Sequence, residues 1–412
     1  MRRLRGSTRP APPDGAARVA APAGEPHGTQ LLIELFVMLA GAKLLAEIFA
    51  RLRQPTVVGE ILAGVLIGPQ VLRLVAPSET SHVLAELGVI FLLFNVGLET
   101  KPASIFKVGK TAMIVAVLGV AVPMLCGWGL MMAWDHNNIE ALFTGTAMVA
   151  TSVGITARVL ADMGLLDSTA ARIILGAAVI DDILGLLVLA AVSSAAKGTV
   201  DLVQIATTAG LAIGFVAVVT FLGAPALTRA APHFRKLRAG NETFVIAILL
   251  CFGLAFAAEY IGVAAIIGAF LAGMALAEGV EGNHDVHQQV KGATEFLVPF
   301  FLVNIGMQLD LNVFTHLPTL LLALAMTGLA VLSKLLGCGV GAWGLGLRGA
   351  MQVGVGMVPR GEVGIVVAQI GLGVGVISES LFGAVLFMAC ATTLIAPPLI
   401  RPLFASNTET SL

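Results

Sequence analysis

The chain has 412 residues, of which 57% are hydrophobic and only 12% are charged, with a formal net charge of −1. About a quarter of the residues of a typical soluble domain are charged, so this composition excludes an ordinary soluble protein and indicates a polytopic membrane protein. The near-neutral charge gives no reason to expect a nucleic-acid partner, and the sequence has no phosphate-binding loop of the Gly-x-x-x-x-Gly-Lys-Ser/Thr type.

Thirteen apolar segments approach or exceed the length of about 20 residues that spans a bilayer as a helix. The segments cover residues 30–51, 57–74, 82–99, 106–134, 139–162, 168–196, 203–224, 241–259, 262–278, 291–308, 315–345, 350–371 and 377–402. We therefore predict an all-α polytopic membrane protein with about 13 transmembrane helices.

Lysine and arginine gather in alternate loops between these spans, and such loops are usually cytoplasmic. The opposite loops contain only Arg73 and Lys197. This pattern predicts a cytoplasmic carboxyl terminus, with residues 404–412 as a short cytoplasmic tail. Residues 1–28 are rich in Pro, Ala and Gly, and we predict a disordered tail there. Its arginines do not fit the loop pattern.

An internal repeat is visible at a constant interval, which is the mark of duplication. The segment that ends at Gly64 resembles the segment that ends at Gly273, 209 residues later, and Asn95 likewise corresponds to Asn304. Seven spans separate the members of each pair, an odd number, so the two copies must cross the membrane in opposite directions. We therefore predict two inverted-topology repeats, with a binding site at their interface near the membrane centre.

The same interval of 209 residues places Thr151 opposite Arg360, in two spans that are poorly suited to continuous helix. Residues 150–156 are rich in hydroxyl side chains and glycine, and residues 357–364 contain a proline and two charges. We predict that both helices are broken there. A broken helix presents free carbonyl groups and half-helix dipoles that can bind a small cation.

The charged residues that remain inside predicted spans are the candidates for transport chemistry: Asp181, Asp182, Lys334, Arg360 and Glu362. A carboxylate at the membrane centre is costly unless it is paired or hydrated, and its default interpretation is a cation or proton site. Neighbouring residues on a helix point about 100° apart, so the two aspartates should differ in role. One of them is expected to pair with Lys334 and the other to face a water-filled cavity and bind the cation.

Alternative interpretations stay open for most of these residues. The aspartate and lysine could form a purely structural ion pair. Arg360 and Glu362 could serve only to neutralise the half-helix ends. The hydroxyl groups of Thr151 and Ser152 are either cation ligands or bond the preceding turn of helix. Elsewhere, Lys43 and Glu47 lie four residues apart and could pair along one helix face.

Residues 30–403 resemble the NapA-type sodium/proton antiporters, within the second family of monovalent cation:proton antiporters. The resemblance is carried by residues 150–160, which lead into Asp181 and Asp182, and by residues 357–364. It implies that Asp182 is the main ion-binding carboxylate, that Asp181 is the partner of Lys334, and that Na⁺ binds at Asp182 and Thr151 with Ser152 nearby. An Asp-Asp pair with a core lysine resembles the electrogenic members of the family.

The resemblance also implies a homodimer in which a core of six helices moves against a dimerisation scaffold. The scaffold would contain residues 29–102 and, with a linker, residues 199–311; the core would contain residues 103–198 and 312–403. A large cytoplasmic nucleotide-binding domain, as in potassium-efflux relatives, is not part of this sequence. A separate regulatory subunit remains open.

From the residues and the resemblance together we expect a sodium/proton antiporter of the bacterial inner membrane, with lipid as its surroundings and no cofactor. Potassium/proton exchange is the alternative on the same scaffold. A cation channel or a non-transporting membrane sensor is the alternative from a different class. An enzyme is not expected, because the sequence shows no nucleophile with an adjacent base and no cluster of metal ligands.

Overall fold

The computed structural model describes residues 27–405, apart from residues 53, 101, 135–136, 197–201, 228, 230–241, 278–283 and 310–314. The predicted tail up to residue 26 lies outside this part, and the first helix begins at His27. The described helices are α1 (His27–Arg51), α2 (Thr56–Ile67), α3 (Glu79–Leu98), α4 (Pro102–Ala133), α5 (Asn138–Ala147), α6 (Val153–Asp162), α7 (Thr169–Ala196), α8 (Leu202–Val218), α9 (Glu242–Tyr260), α10 (Ala265–Ala277), α11 (His284–Met307), α12 (Leu317–Gly341), α13 (Gly346–Gly356), α14 (Glu362–Gly373) and α15 (Glu379–Ala405).

The all-helical membrane fold predicted from the sequence is confirmed, and each of the predicted spans contains helix. Within the described residues, 8 helices are long and apolar enough to cross a membrane. The spans predicted at 139–162 and 350–371 are each divided into two short helices. The span predicted at 57–74 ends early, at Ile67, because Gly68 and Pro69 follow and the chain folds back on itself. A proline cannot continue the hydrogen-bonding pattern of a helix.

Apart from α8, which follows α7 and leads toward α9, the described helices pack into two sets. Helices α1–α3 and α9–α11 contact mainly one another, and we call them the glycine bundle. Helices α4–α7 and α12–α15 form a second set, which we call the broken-helix bundle. The two sets meet where α6 packs against α3 and where α15 approaches α2. The site described below lies along this boundary.

Glycines bring the helices of the first bundle into backbone contact. A Cβ atom at Gly64 of α2 would overlap the carbonyl group of Val303 in α11. A Cβ at Gly273 of α10 would in the same way overlap the carbonyl group of Phe94 in α3. Gly273 lies 209 residues after Gly64, and Val303 lies 209 residues after Phe94. The repeat found in the sequence is therefore present at the level of individual atomic contacts.

The broken-helix bundle follows the same interval in its helix boundaries. Three helices of the first half have counterparts in the second, since α5 corresponds to α13, α6 to α14 and α7 to α15. The first residues of these pairs are 208, 209 and 210 residues apart: Asn138 and Gly346, Val153 and Glu362, and Thr169 and Glu379. The inverted repeat therefore extends into the half of the molecule that contains the candidate site.

Large apolar side chains cover the outer surface of several helices. Phe36 on α1 is 72% exposed and Phe256 on α9 is 68% exposed. Exposed apolar area on this scale is unfavourable in water and suits contact with lipid or with another membrane protein. The chain is thus a multi-pass membrane protein whose outer helices face the hydrocarbon of the bilayer.

Candidate ion-binding site

Two unwound segments form the centre of the broken-helix bundle. Helix α5 ends at Ala147 and α6 begins at Val153, while α13 ends at Gly356 and α14 begins at Glu362. The segments between them, residues 148–152 and 357–361, lie against each other. The backbone N–H of Ser152 donates a hydrogen bond of 2.8 Å to the carbonyl oxygen of Pro359. The breaks predicted from the sequence are therefore confirmed, and they meet in space.

Close contact between the two segments depends on one glycine. A Cβ atom at Gly361 would lie 2.7 Å from both Cβ and Oγ of Ser152, well inside van der Waals contact. Across the same junction, the hydroxyl group of Thr156 donates a hydrogen bond of 2.6 Å to the carbonyl oxygen of Gly356, the last residue of α13. This bond satisfies one of the carbonyl groups left free at a helix end.

Arg360 lies within the second unwound segment and is completely buried. Its guanidinium group donates to the carbonyl oxygens of Met357, at 3.4 Å, and of Ala330, at 3.2 Å. Met357 follows the carboxyl end of α13, where the helix dipole is negative, so the positive charge is favourably placed. Glu362 begins α14, and its side chain lies outside the described part of the structure.

Asp181 and Lys334 form a buried ion pair between α7 and α12. Nζ of Lys334 lies 2.9 Å from Oδ1 of Asp181, and both side chains are 0% exposed. The second carboxylate oxygen, Oδ2, has no hydrogen-bond partner among the described residues. Gly119 of α4 leaves space beside the pair, since a Cβ there would lie 3.3 Å from Nζ of Lys334. Asp181 is thus the aspartate that meets the lysine.

Asp182 faces a different direction, as expected for neighbouring residues of a helix. It is 7% exposed and lines a small cavity. The cavity walls come from α3, α7 and α10, together with Val153 at the start of α6. The other lining residues are apolar, so this cavity differs from the water-filled one that we expected. Asp182 therefore lies next to the end of a half-helix and is largely shielded from bulk water.

Thr151 and Ser152 occupy the first unwound segment, next to Val153. Thr151 is 4% exposed, and its Oγ1 has no hydrogen-bond partner among the described residues. Ser152 is 5% exposed and precedes the first turn of α6. Its side chain makes no capping hydrogen bond to the N–H groups of that turn. A buried hydroxyl group without a partner is costly, so the Thr151 hydroxyl oxygen is suited to binding a cation or another polar group.

Two larger cavities lie between the bundles, one toward each face. The first, of about 530 Å³, is lined by ends of α3 and α6 and reaches Arg401 near the end of α15. The second, of about 480 Å³, is lined by His82 and Glu86 at the opposite end of α3 and reaches Arg360. The small cavity at Asp182 shares Ile266 with the second cavity and no residue with the first. The small cavity at Asp182 is therefore a neighbour of the second cavity.

The sequence interpretation did not select Glu60, although Glu60 lies inside a predicted span. Its side chain is 2% exposed, and Oε1 lies 3.5 Å from Nζ of Lys43. The pairing of Lys43 with Glu47 was therefore wrong, because Glu47 instead pairs with Arg51 at 2.8 Å. The rule that selected the other buried charges, a carboxylate within an apolar span, would also have found Glu60.

The described residues contain no group of three or more His, Cys, Asp or Glu side chains that could hold a metal ion. The arrangement instead offers single carboxylates, hydroxyl groups and the free backbone groups of broken helices. These are the oxygen ligands that hard monovalent cations prefer, and they occur in transporters whose substrate site lies at the interface of inverted repeats. Fold and site together define a secondary transporter.

A family model described as the transmembrane sodium/hydrogen exchanger matches residues 35–406, and the chain belongs to this family. It is 34% identical over 415 residues to the high-affinity Na⁺/H⁺ antiporter NhaS3 of Synechocystis, covering 91% of this chain and 90% of that protein. It is 33% identical to the Na⁺/H⁺-K⁺ antiporter GerN of Bacillus cereus, covering 92% of this chain and 97% of GerN. The resemblance to monovalent cation:proton antiporters is thereby confirmed.

A solved structure shows the same fold. The sodium proton antiporter MjNhaP1 from Methanocaldococcus jannaschii, determined at pH 8, matches with a TM-score of 0.65. The match covers 93% of this chain and 99% of that chain at 17% sequence identity. The likeness therefore extends over nearly the whole architecture, including both bundles.

Proposed function

We propose that this protein is a secondary active antiporter that exchanges sodium for protons by alternating access. The observation that carries the proposal is the position of Asp182, a buried carboxylate in α7 that lines the same small cavity as Val153, the first residue of the half-helix α6, next to the boundary of the two bundles. A buried carboxylate in a largely apolar surrounding is costly, and a cation or a proton that binds to it lowers this cost. The similarity to NhaS3, named as a Na⁺/H⁺ antiporter, and to GerN, named as a Na⁺/H⁺-K⁺ antiporter, supports this assignment.

The cation would bind between Asp182 and the first unwound segment. The carboxylate supplies the charge, and Thr151 supplies a hydroxyl oxygen that has no other partner among the described residues. Ser152 adds a second hydroxyl and a backbone N–H that is already held by Pro359. Protons and sodium ions then compete for the same carboxylate, and this competition couples their movements in opposite directions.

Asp181 and Lys334 would take part by exchanging a proton as their ion pair forms and breaks. Because the pair is completely buried, a charge left on either partner without the other would be costly. The resemblance of this Asp-Asp-Lys arrangement to electrogenic antiporters favours two protons exchanged for each sodium ion. Arg360 and Glu362 would compensate the charges at the ends of the second pair of half-helices.

The two cavities provide the access routes. With the carboxyl terminus in the cytoplasm, as the loop charges predict, the cavity of about 530 Å³ would open to the cytoplasm and that of about 480 Å³ to the outside. Sodium would leave the cell and protons would enter, with the proton gradient as the energy source. The broken-helix bundle would move against the glycine bundle in a homodimer of the bacterial inner membrane, without a cofactor. Regulation by a separate subunit remains compatible with this scheme.

The proposal is tested in everted membrane vesicles that are energised to acidify their interior. Addition of sodium should release protons from vesicles containing the native protein and release none when Asp182→Asn is present. Asp167→Asn is the matched control, because Asp167 is exposed and pairs with Arg172 outside the site. Unchanged exchange in Asp182→Asn would contradict the site, and sodium flux that moves no protons in the opposite direction would instead indicate a channel.

Potassium is the second candidate substrate, and GerN, named as a Na⁺/H⁺-K⁺ antiporter, is the observation that favours it. Cavity size and the number of ligands decide between the two ions, whereas the identity of the side chains does not. The same vesicles therefore receive potassium in a parallel experiment. Proton release by potassium alone would change the substrate, release by both ions would indicate a mixed antiporter, and binding heat without release would indicate a sensor.

A further inference from the structure

Two consecutive threonines of α15, Thr392 and Thr393, hold the backbone of Arg360. The N–H of Arg360 donates a hydrogen bond of 3.1 Å to Oγ1 of Thr392. The hydroxyl group of Thr393 donates a hydrogen bond of 2.6 Å to the carbonyl oxygen of Arg360. Both threonines are 0% exposed. Arg360 lies outside any helix, and side chains of one neighbouring helix, α15, therefore satisfy both its backbone N–H and its carbonyl group.

The orientation of Thr392 is itself fixed. Its hydroxyl donates to the carbonyl oxygen of Ala389, one turn earlier, at 3.1 Å. With the hydroxyl proton directed at Ala389, the oxygen lone pairs are available to the N–H of Arg360. Thr392 thus acts as a relay between α15 and the unwound segment. This use goes beyond the usual bond of a helical threonine to its own preceding turn.

The contact reaches the candidate ion site through a single peptide unit. The N–H of Arg360 and the carbonyl group of Pro359 belong to the same planar peptide, so fixing one orients the other. The carbonyl group of Pro359 accepts the hydrogen bond from the N–H of Ser152. Thr392 is therefore connected to the segment of Thr151 and Ser152 by two hydrogen bonds and one rigid group.

The arrangement exists in only one of the two repeats. The residues 209 positions before Thr392 and Thr393 are Ile183 and Leu184, which directly follow the aspartates in α7. These apolar side chains cannot make the equivalent hydrogen bonds to the first unwound segment. The helix beside one break thus supplies hydroxyl groups that fasten the backbone, while the helix beside the other supplies the carboxylates.

We propose that Thr392 and Thr393 are positioning residues for the cation site, an inference that rests on the proposed antiport function. They hold the peptide between Pro359 and Arg360 so that Ser152, and with it Thr151, stays in place beside Asp182. Loss of these threonine hydroxyl groups leaves the carboxylate of Asp182 intact but displaces the oxygen atoms of Thr151 and Ser152. The half-saturating sodium concentration should then rise, while the maximal rate changes little.

The test compares Thr392→Val and Thr393→Val with the matched control Thr327→Val in α12. Thr327 is buried in the same bundle, but its hydroxyl bonds only its own helix, to Ala323 at 2.7 Å. In reconstituted vesicles, each valine variant at 392 or 393 should raise the half-saturating sodium concentration roughly tenfold, the size of one lost hydrogen bond. The control should change it by less than about twofold on the same scale.

Serine variants at positions 392 and 393 separate positioning from packing. Serine keeps the hydroxyl and loses only the methyl group, so Thr392→Ser and Thr393→Ser should restore the native half-saturating concentration. Folded valine variants with native sodium dependence would overturn the proposal. Serine variants as defective as the valine variants would also overturn it.

A measurement on the native protein remains decisive if the valine variants do not fold. Hydrogen exchange of the Arg360 N–H without sodium should be much slower than that of the Thr151 N–H, which is similarly buried in the other unwound segment but has no hydrogen-bond partner among the described residues. Exchange of the Arg360 N–H as fast as that of the Thr151 N–H would overturn the proposal. If this inference fails, sodium/proton antiport by the native protein that is lost in Asp182→Asn would show that the proposed function still stands.

Discussion

The glycine bundle and the broken-helix bundle are built on the same repeat but use it differently. In the glycine bundle the repeat holds for individual contacts, as Gly64 on Val303 and Gly273 on Phe94 show. In the broken-helix bundle the helix boundaries repeat, but the chemistry does not. The position of Asp182 corresponds to Ala391 in the second copy.

The difference follows from what each bundle has to do. A glycine contact joins two backbones, and the backbone is chemically the same in both copies of the repeat. The same contact can therefore form in each copy. A single ion site needs one carboxylate with a particular set of oxygen partners, and a symmetric copy would place a second charge in the membrane. Packing can therefore follow the repeat while the transport site departs from it.

The largest expected effect comes from filling a glycine contact. Gly64→Leu places a side chain where the carbonyl group of Val303 lies, and backbone cannot be displaced cheaply. We expect loss of folded protein, measured as the monodisperse fraction in size-exclusion chromatography of the detergent-solubilised protein. The matched control is Gly253→Leu in α9, where no atom lies within 4 Å of the added Cβ. Equal yields of the two variants would show that the contact is not required.

The next effect concerns the buried ion pair. Lys334→Met leaves the carboxylate of Asp181 buried and without its partner, a change that costs about 3–5 kcal/mol in proteins. The double variant Asp181→Asn with Lys334→Met removes both charges and should recover most of that loss. Thermal unfolding in detergent measures both variants. A double variant no more stable than Lys334→Met would mean that the lysine contributes through packing rather than through its charge.

A smaller effect is expected at Thr151, and in affinity rather than stability. Because Oγ1 has no partner among the described residues, Thr151→Val breaks no described bond and should not lower the unfolding temperature. Loss of one oxygen ligand should raise the half-saturating sodium concentration roughly tenfold, or about 1.4 kcal/mol. Thr144→Val is the control, since that buried hydroxyl bonds its own helix at Glu140. Native sodium dependence of Thr151→Val would remove this residue from the site.

The smallest effect concerns Glu60, which marks a departure from the repeat within the glycine bundle, because its counterpart is Ala269. Glu60→Gln removes the charge and keeps the shape. Lys43 is half exposed and stays hydrated without its partner. We expect the free energy of unfolding to change by less than about 1 kcal/mol, as for other partly exposed pairs. A shift in unfolding temperature as large as that of Lys334→Met would show that this pair is as important as the central one.

Much of the fold could be predicted because membrane insertion leaves a direct record in sequence. Apolar length gave the spans, and the interval between similar segments gave the repeat. The breaks were predictable as well, since Pro359 and the glycine and hydroxyl residues near Thr151 are poor helix formers. Less predictable was the pairing of Lys43, because i,i+4 spacing on one helix says nothing about a carboxylate on the next. Lys43 pairs with Glu60 because tertiary packing brings α2 against α1.

The candidate site divides in the same way. The sequence singled out Asp181 and Asp182 as costly charges, and helix geometry required that they face different partners. The family resemblance implied that Asp181 is the partner of Lys334, but the residues alone did not decide between the two aspartates, because the contact depends on how α7 is rotated against α12. Thr392 and Thr393 gave no local signal, since threonine is common in membrane helices and usually bonds its own turn.

The sequence by itself determined the membrane environment, the inverted repeat, the two helix breaks and the set of charges that must be neutralised. These follow from the hydrophobic effect, backbone stereochemistry and the cost of burying charge, all of which act on local sequence. The tertiary structure decided which groups share a hydrogen bond across 150 or more residues, as Lys334 does with Asp181. Such contacts depend on the rotation and depth of whole helices, which many weak packing contacts set together.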